Sequence, residues 1–208
     1  MLPLWSFLAV TLPLVLTPGA STAVVLRNSI SGGTRAGVQT AAGVNSGSLL
    51  YGVLSAFGLA LALRRWPPVW TVLRFAGGMY LVWLAARSLR SAAAPVAARR
   101  GVDRPRGRRA AVQNIYEGFL TNLLNPAIAT FYLVVIPQFV PRGAPVARSI
   151  LLLMCVHVAA ALTWHLVWAF AGGSLARVLS HGPARRALDT VTAGALLFLA
   201  GRVLLTPS

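Results

Sequence analysis

Acidic residues are nearly missing from this chain: Asp103, Glu117 and Asp189 are the only 3 among 208 residues. Lysine is absent, so all 19 basic residues are arginine, and cysteine is represented by Cys155 alone. One cysteine excludes an intramolecular disulfide, and no grouping of Cys and His has the spacing of a metal site. Paired carboxylates, a nucleophile with an oriented base and a metal cluster are all missing, which argues against an enzyme and against any cofactor. What fills the space is apolar: 57% of residues are hydrophobic and 11% charged, with a mean hydropathy of +0.71. That composition belongs to an integral membrane protein, because so few polar residues cannot cover the core of a soluble one.

Apolar stretches of roughly 20 residues recur about six times, at Leu4 to Leu26, Val38 to Leu63, Val69 to Ala86, Val112 to Pro137, Ser149 to Ala171 and Leu188 to Leu205. The expected fold is an all-α membrane protein of about six transmembrane helices. The first stretch has no basic flank and is longer than a signal-peptide core, so it is expected to be retained as a span. A net charge of +16 would suggest nucleic acid in a soluble protein, but here most arginines lie between apolar runs, where they set topology. Arg87, Arg90, Arg99, Arg100, Arg104, Arg106, Arg108 and Arg109 crowd one connector opposed only by Asp103, which marks it as cytoplasmic. Loops one, three and five, with Arg27, Arg35, Arg177, Arg185 and Arg186, hold about 13 arginines, and the other side, with Arg64, Arg65, Arg74, Arg142, Arg148 and Arg202, about half as many. This predicts both termini outside and a multi-pass protein of the plasma membrane. The connector reads as a disordered tether, with binding to anionic headgroups of membrane lipid or to a cytosolic protein as alternatives.

That connector divides the chain into residues 1–89, the loop 90–111, and residues 112–208. Three spans in each half put the halves in opposite orientations, an inverted repeat. Two prolines occupy matched places in the first span of each half, Thr17-Pro18-Gly19 and Asn125-Pro126-Ala127. Proline removes a backbone donor and clashes with the preceding turn, and hydrocarbon offers nothing to satisfy the carbonyls set free. Thr17 and Asn125 each read as an N-cap with proline at the first helical position. A helix restarted at mid-membrane directs its first N–H groups and positive dipole end at an anion such as a carboxylate. Ser21, Thr22, Thr121 and Asn122 lie within about one turn of the breaks. The plainer alternative is that both prolines merely kink their helices and neighbours re-satisfy the backbone.

Span two carries a small-residue face of Gly43, Gly47, Ser48, Gly52, Ser55 and Gly58, with Asn45 and Ser46 among them, suited to close helix packing. Such faces also leave a homo-oligomer open. The third spans share a small pair and an Arg-x-Leu ending, at Gly77-Gly78 to Arg87-Ser88-Leu89 and Ala193-Gly194 to Arg202-Val203-Leu204.

These residues resemble the LysE/RhtB family of amino-acid exporters. Its first-span Pro-Gly-Pro motif is matched by Pro18-Gly19-Ala20, and its fourth-span Gly-Phe-x-x-Asn-x-x-Asn-Pro-Lys pattern by Gly118-Phe119 through Asn122 to Asn125-Pro126-Ala127. Ser31-Gly32-Gly33-Thr34-Arg35-Ala36-Gly37, Gly43-Val44-Asn45-Ser46-Gly47, Gly77-Gly78-Met79-Tyr80-Leu81 and Pro137-Gln138-Phe139 extend the likeness over nearly the whole chain. The resemblance implies export of amino acids or related small solutes using an ion gradient. Ala20 and Ala127 replace the family's second proline and its lysine, and Ser48 stands near a position that is acidic in some members. Without that charge, a neutral zwitterion is a better cargo than a cationic amino acid.

The expected substrate-binding set is therefore Thr17, Pro18, Gly19, Ser21, Thr22, Asn45, Ser48, Thr121, Asn122, Asn125 and Pro126. Glu117 has two readings: an interfacial ion pair near Arg108, Arg109, Arg185 and Arg186, with Asp189 alike, or a gate charge or proton-binding group. His157 and His165 in span five also have two: proton coupling, or an interhelical hydrogen bond for His157 and an interfacial anchor for His165 beside Trp164 and Trp168. A passive channel and a non-transport membrane assembly protein are the competing functions.

Overall fold

The structure is a computed structural model, and it describes residues 2–58, 68–93, 107–178 and 183–205. Arg64, Arg65, Arg99, Arg100, Asp103, Arg104 and Arg106 lie outside the described residues, as do the side chains of Arg74, Arg177, Arg185, Arg186, Asp189 and Arg202. Eight α-helices follow one another among the described residues: α1 (Leu4–Leu16), α2 (Ala20–Gly32), α3 (Thr34–Ala56), α4 (Pro68–Ala93), α5 (Arg108–Leu123), α6 (Pro126–Thr130), α7 (Val146–Val178) and α8 (Pro183–Leu205). A π turn over Phe131–Val135 and a 3-10 turn over Ile136–Phe139 prolong α6, and no strand occurs among the described residues. The described parts of the six apolar stretches are mainly helical, and residues 59–63 of the second lie outside the described residues. Among the described residues α7 alone is long and apolar enough to cross a membrane, over Val146–Leu175, and the number rises to three if each bent pair around a proline is one span.

The bends differ in chemistry. At the second, α5 and the segment from Pro126 to Phe139 meet at 59°. Pro126 opens α6, and the Asn125 side chain accepts the Ala127 N–H at 3.0 Å, the capped restart read from the sequence. With that N–H diverted, the Leu123 carbonyl has lost its helical donor, and the Tyr51 hydroxyl on α3 donates to it at 2.5 Å. Tyr51→Phe would leave this carbonyl short of a donor, and a loss of about 1–3 kcal/mol of unfolding free energy is expected in detergent-solubilised protein.

At the first, α1 and α2 meet at 46°, and the expected Thr17 cap is not formed. Thr17 ends α1: its hydroxyl and its N–H both donate to the Pro13 carbonyl, at 2.7 and 3.0 Å. Pro18 and Gly19 form the link, and α2 starts at Ala20 with Gly19 in the N-cap position and no side-chain cap. A threonine hydroxyl reaches a carbonyl four residues back as readily as an N–H two residues ahead, and Pro13 sits at the required distance.

Glycine brings the helices together at the centre. A Cβ on Gly43 of α3 would lie 1.9 Å from the Ile115 carbonyl oxygen of α5, and one on Gly118 of α5 would lie 2.2 Å from the Thr40 oxygen of α3. The two backbones touch, as the small-residue face predicted. Further along α3, Gly52 faces Met154 of α7. Between α2 and α3 the chain turns at Gly33, whose φ of 81° is open chiefly to glycine. α4 and α8 pack on each other through Leu81, Leu84, Ala85, Ala193, Leu196 and Ala200. Phe7 of α1 docks on the π and 3-10 turns, 6.1 Å from Phe131 and 5.4 Å from Phe139 between ring centroids.

Candidate functional site

Two layers of buried polar groups lie along α2, α3 and α5. The layer nearer the breaks contains Ser21 and Thr22 in the first turn of α2, Asn45 and Ser48 on α3, and Thr121 and Asn122 on α5, all buried. Asn122 Nδ2 donates to Ser48 Oγ at 3.2 Å, and Gly47 leaves room for the Asn122 side chain. Asn45 Nδ2 donates to the Ala41 carbonyl at 2.8 Å and lies 3.2 Å from His165 Nδ1 of α7. Ser21 Oγ, Asn45 Oδ1 and Asn122 Oδ1 have no hydrogen-bond partner among the described residues although all three are enclosed. Buried polar atoms are seldom left so; Thr11 Oγ1, Trp164 Nε1 and Trp168 Nε1 share this state elsewhere among the described residues.

Not every expected residue joins this layer. Thr17 and Pro18 are exposed, and Gly19, Asn125 and Pro126 are half-buried. Pro126 packs near Gly77 of α4, which also accepts the close approach of the Leu124 carbonyl. The prolines therefore shape the helices, while the residues a turn away carry the free polar atoms.

The second layer is charged, and its composition corrects the sequence reading. Glu117 does not pair with Arg108 or Arg109, which are exposed; it is 5% exposed and its partners come from α2 and α4. Arg27, assigned from its place after the first apolar run to a cytoplasmic loop, is a buried residue of α2. Its Nη2 donates to Glu117 Oε1 and, at 3.0 Å, to Asn28 Oδ1, which also accepts from Nε at 3.2 Å. Asn28 Nδ2 donates to Glu117 Oε2 at 3.1 Å and to Thr40 Oγ1 at 2.9 Å. Arg87 of α4 adds Nη1 at 3.2 Å from Glu117 Oε1 with its own side chain 44% exposed. The Thr121 and Tyr80 hydroxyls donate to the Glu117 carbonyl, at 2.7 and 3.3 Å. One carboxylate thus ties three helices together, and Thr121 and Asn122, about one turn on, connect this layer to the first.

The family model for the LysE type translocator matches residues 12–207. The chain belongs to the LysE type translocator family. The translocator is 23% identical over 169 residues to the uncharacterized membrane protein YrhP of Bacillus subtilis, covering 78% of this chain and 80% of that one. Over 78 residues it is 40% identical to the membrane protein YahN of Escherichia coli, covering 38% and 35% of the two chains. It is 28% identical over 148 residues to the leucine efflux protein of Salmonella choleraesuis, covering 68% of this chain and 65% of that one. No solved structure matches the translocator.

Three further residues were not read as site residues from the sequence. Arg27 was counted with the topology arginines, Asn28 follows it without a motif, and Arg87 belongs to the connector cluster. Their only common signal is that the chain has few carboxylates to spend on so many arginines. His165 is buried, with its Nδ1 against Asn45. His157 makes the interhelical bond anticipated, 2.7 Å from the Tyr132 hydroxyl on the π turn.

Proposed function

We propose that the translocator exports neutral, zwitterionic amino acids across the plasma membrane, driven by an ion gradient. The observation that carries this is the buried layer of Ser21, Asn45 and Asn122, with free polar atoms in an otherwise apolar chain, flanked by two bent helix pairs. A passive channel needs a continuous wet path, and the enclosure of these polar atoms supports alternating access instead. Membership of a translocator family and the similarity to a leucine efflux protein support the substrate class. In this reading residues 1–89 and 112–208 are two inverted three-helix repeats joined by a cytoplasmic loop over 90–111, six spans in all, with both termini outside. The set Ser21, Thr22, Asn45, Ser48, Thr121 and Asn122 lines the path, Thr17, Pro18, Gly19, Asn125 and Pro126 set the bends, and Glu117 acts as a gate.

Efflux of a labelled amino-acid panel from cells making the translocator tests this. Asn122→Ala and Ser48→Ala are expected to lower the export rate of neutral amino acids by about tenfold, the value of one or two hydrogen bonds formed in the loaded state. Glu117→Gln keeps the shape and most hydrogen bonds, and should slow export while the protein still inserts and folds. Export by all three variants at the wild-type rate would remove both layers from the pathway.

A further inference from the structure

Arg27 has an unused donor. A guanidinium carries N–H groups on three nitrogens; here Nε and Nη2 are engaged by Asn28 and Glu117, whereas Nη1 is enclosed with no hydrogen-bond partner among the described residues. The residue is 9% exposed, so solvent does not supply the missing acceptor. Charge points the same way: Arg27 and Arg87 both lean on Glu117. An acceptor with negative charge and two oxygens fits a guanidinium edge best.

The other half of the pair has the opposite capacity. If Arg27 turns to a new anion, Glu117 is released, held by Asn28 Nδ2 at 3.1 Å and Arg87 Nη1 at 3.2 Å, and can accept a cation. A group carrying both charges a few ångströms apart can therefore enter between them and replace each partner without leaving a buried charge alone. An α-amino acid head group has that form. A lone amine does not, because it would take Glu117 and strand the buried Arg27, and a lone carboxylate would leave Glu117 with Asn28 and the part-exposed Arg87 alone.

Resting on the export reading above, we propose that the Arg27–Glu117 pair is the recognition site for the zwitterionic head group of the cargo. Arg27 takes its carboxylate through Nη1 and Nη2, and Glu117 takes its ammonium. Because Arg27 belongs to α2 and Glu117 to α5, inserting the head group parts the two helices that follow the first bend and precede the second. Recognition and opening are then one event, and no charged side chain needs to be exposed to hydrocarbon on the way. The layer selects against a cationic cargo, since Glu117 is the one carboxylate buried among the described residues and would already be taken by the α-ammonium.

The test uses full-length translocator in nanodiscs of zwitterionic lipid, so that no anionic headgroup competes for Arg27. Binding of leucine, leucinamide and 4-methylpentanoate is measured for the wild type, Arg27→Gln and Glu117→Gln. The wild type should bind leucine about 10- to 100-fold more tightly than either analogue. Arg27→Gln should lose the preference for leucine over leucinamide, and Glu117→Gln the preference over 4-methylpentanoate: two opposite changes of specificity. A pair with a structural role only would shift all three ligands by one factor in both variants, and that result overturns the proposal while leaving the export reading intact. If Arg27→Gln does not fold, Arg27→Lys and the charge-balanced Arg27→Gln/Glu117→Gln variant replace it: the first should weaken leucine about tenfold, and the second should bind the three ligands alike. Leucine held by the double variant as tightly as by the wild type overturns the proposal too. A wild type that binds no zwitterionic amino acid overturns the export reading and the head-group site together.

Discussion

Glu117→Ala is expected to cost about 3–5 kcal/mol of stability, because it strands a buried guanidinium. Arg27 would keep only the neutral Asn28 oxygen as a partner, and Asn28 Nδ2 would lose one of its two acceptors. Arg87 contributes little to the loss, since its side chain is 44% exposed and water screens it. Replacing both ends of the pair with apolar residues of similar volume, Arg27→Met with Glu117→Leu, should restore most of the lost stability, as no buried charge remains. It should not restore export. Unfolding of the purified protein in detergent, followed by circular dichroism, gives the stability; efflux gives the function. If Glu117→Ala unfolds at the wild-type midpoint, the pair is not buried in the way described.

The α3–α5 contact should be as unforgiving. In Gly118→Val the branched side chain begins with a Cβ 2.2 Å from the Thr40 carbonyl oxygen and 3.0 Å from the Val44 nitrogen. Both are backbone atoms of a helix and cannot rotate away, so α3 and α5 must separate. Overpacking of this kind costs about 1–3 kcal/mol or more. The displacement would also carry Glu117 away from Asn28 and Asn122 away from Ser48, so export should fall with stability. Gly43→Ala meets the same interface from the other side, 1.9 Å from the Ile115 oxygen, and the two substitutions together should cost less than their sum because one separation relieves both. Strict additivity in thermal midpoints would mean that the helices do not share this contact.

These residues also show where the sequence was legible. Asn125-Pro126 is a local signal: the cap acts on a residue two positions away, and the structure has it as read. Thr17-Pro18 carries the same letters, yet Pro13 offers Thr17 a competing acceptor one turn back. Local chemistry allowed both outcomes and only the packing of α1 decides. The glycine face of α3 was visible from helical spacing, though not that its partners are Ile115, Asn122 and Met154. Arg27 was hidden for a different reason. Charge counting assigns an arginine to a loop when it follows an apolar run, but α2 continues for five residues past Arg27 to Gly32. Its partner is 90 residues distant, and no spacing rule reaches that far. The partner of His165, Asn45, lies 120 residues away and is equally out of reach of local spacing.

The layers explain how a chain with 3 acidic residues manages 19 arginines. Among the arginines whose side chains are described, Arg35, Arg87, Arg90, Arg108, Arg109, Arg142 and Arg148 are exposed, and Arg27 is buried. The one carboxylate buried among the described residues, Glu117, is placed where it neutralises an arginine that the helices have drawn inside. Asn122 and Ser48, about a turn further along α5 and across on α3, continue the polar path with neutral groups only. Such a path suits a solute whose own charges sum to zero.

The central claim is export of zwitterionic amino acids coupled to an ion gradient. Purified translocator in proteoliposomes loaded with labelled leucine tests it most directly, with efflux followed before and after a proton gradient is imposed. The account predicts saturable leucine efflux that the gradient accelerates and that Asn122→Ala slows. Folded, inserted protein that moves no neutral amino acid under either condition would contradict it.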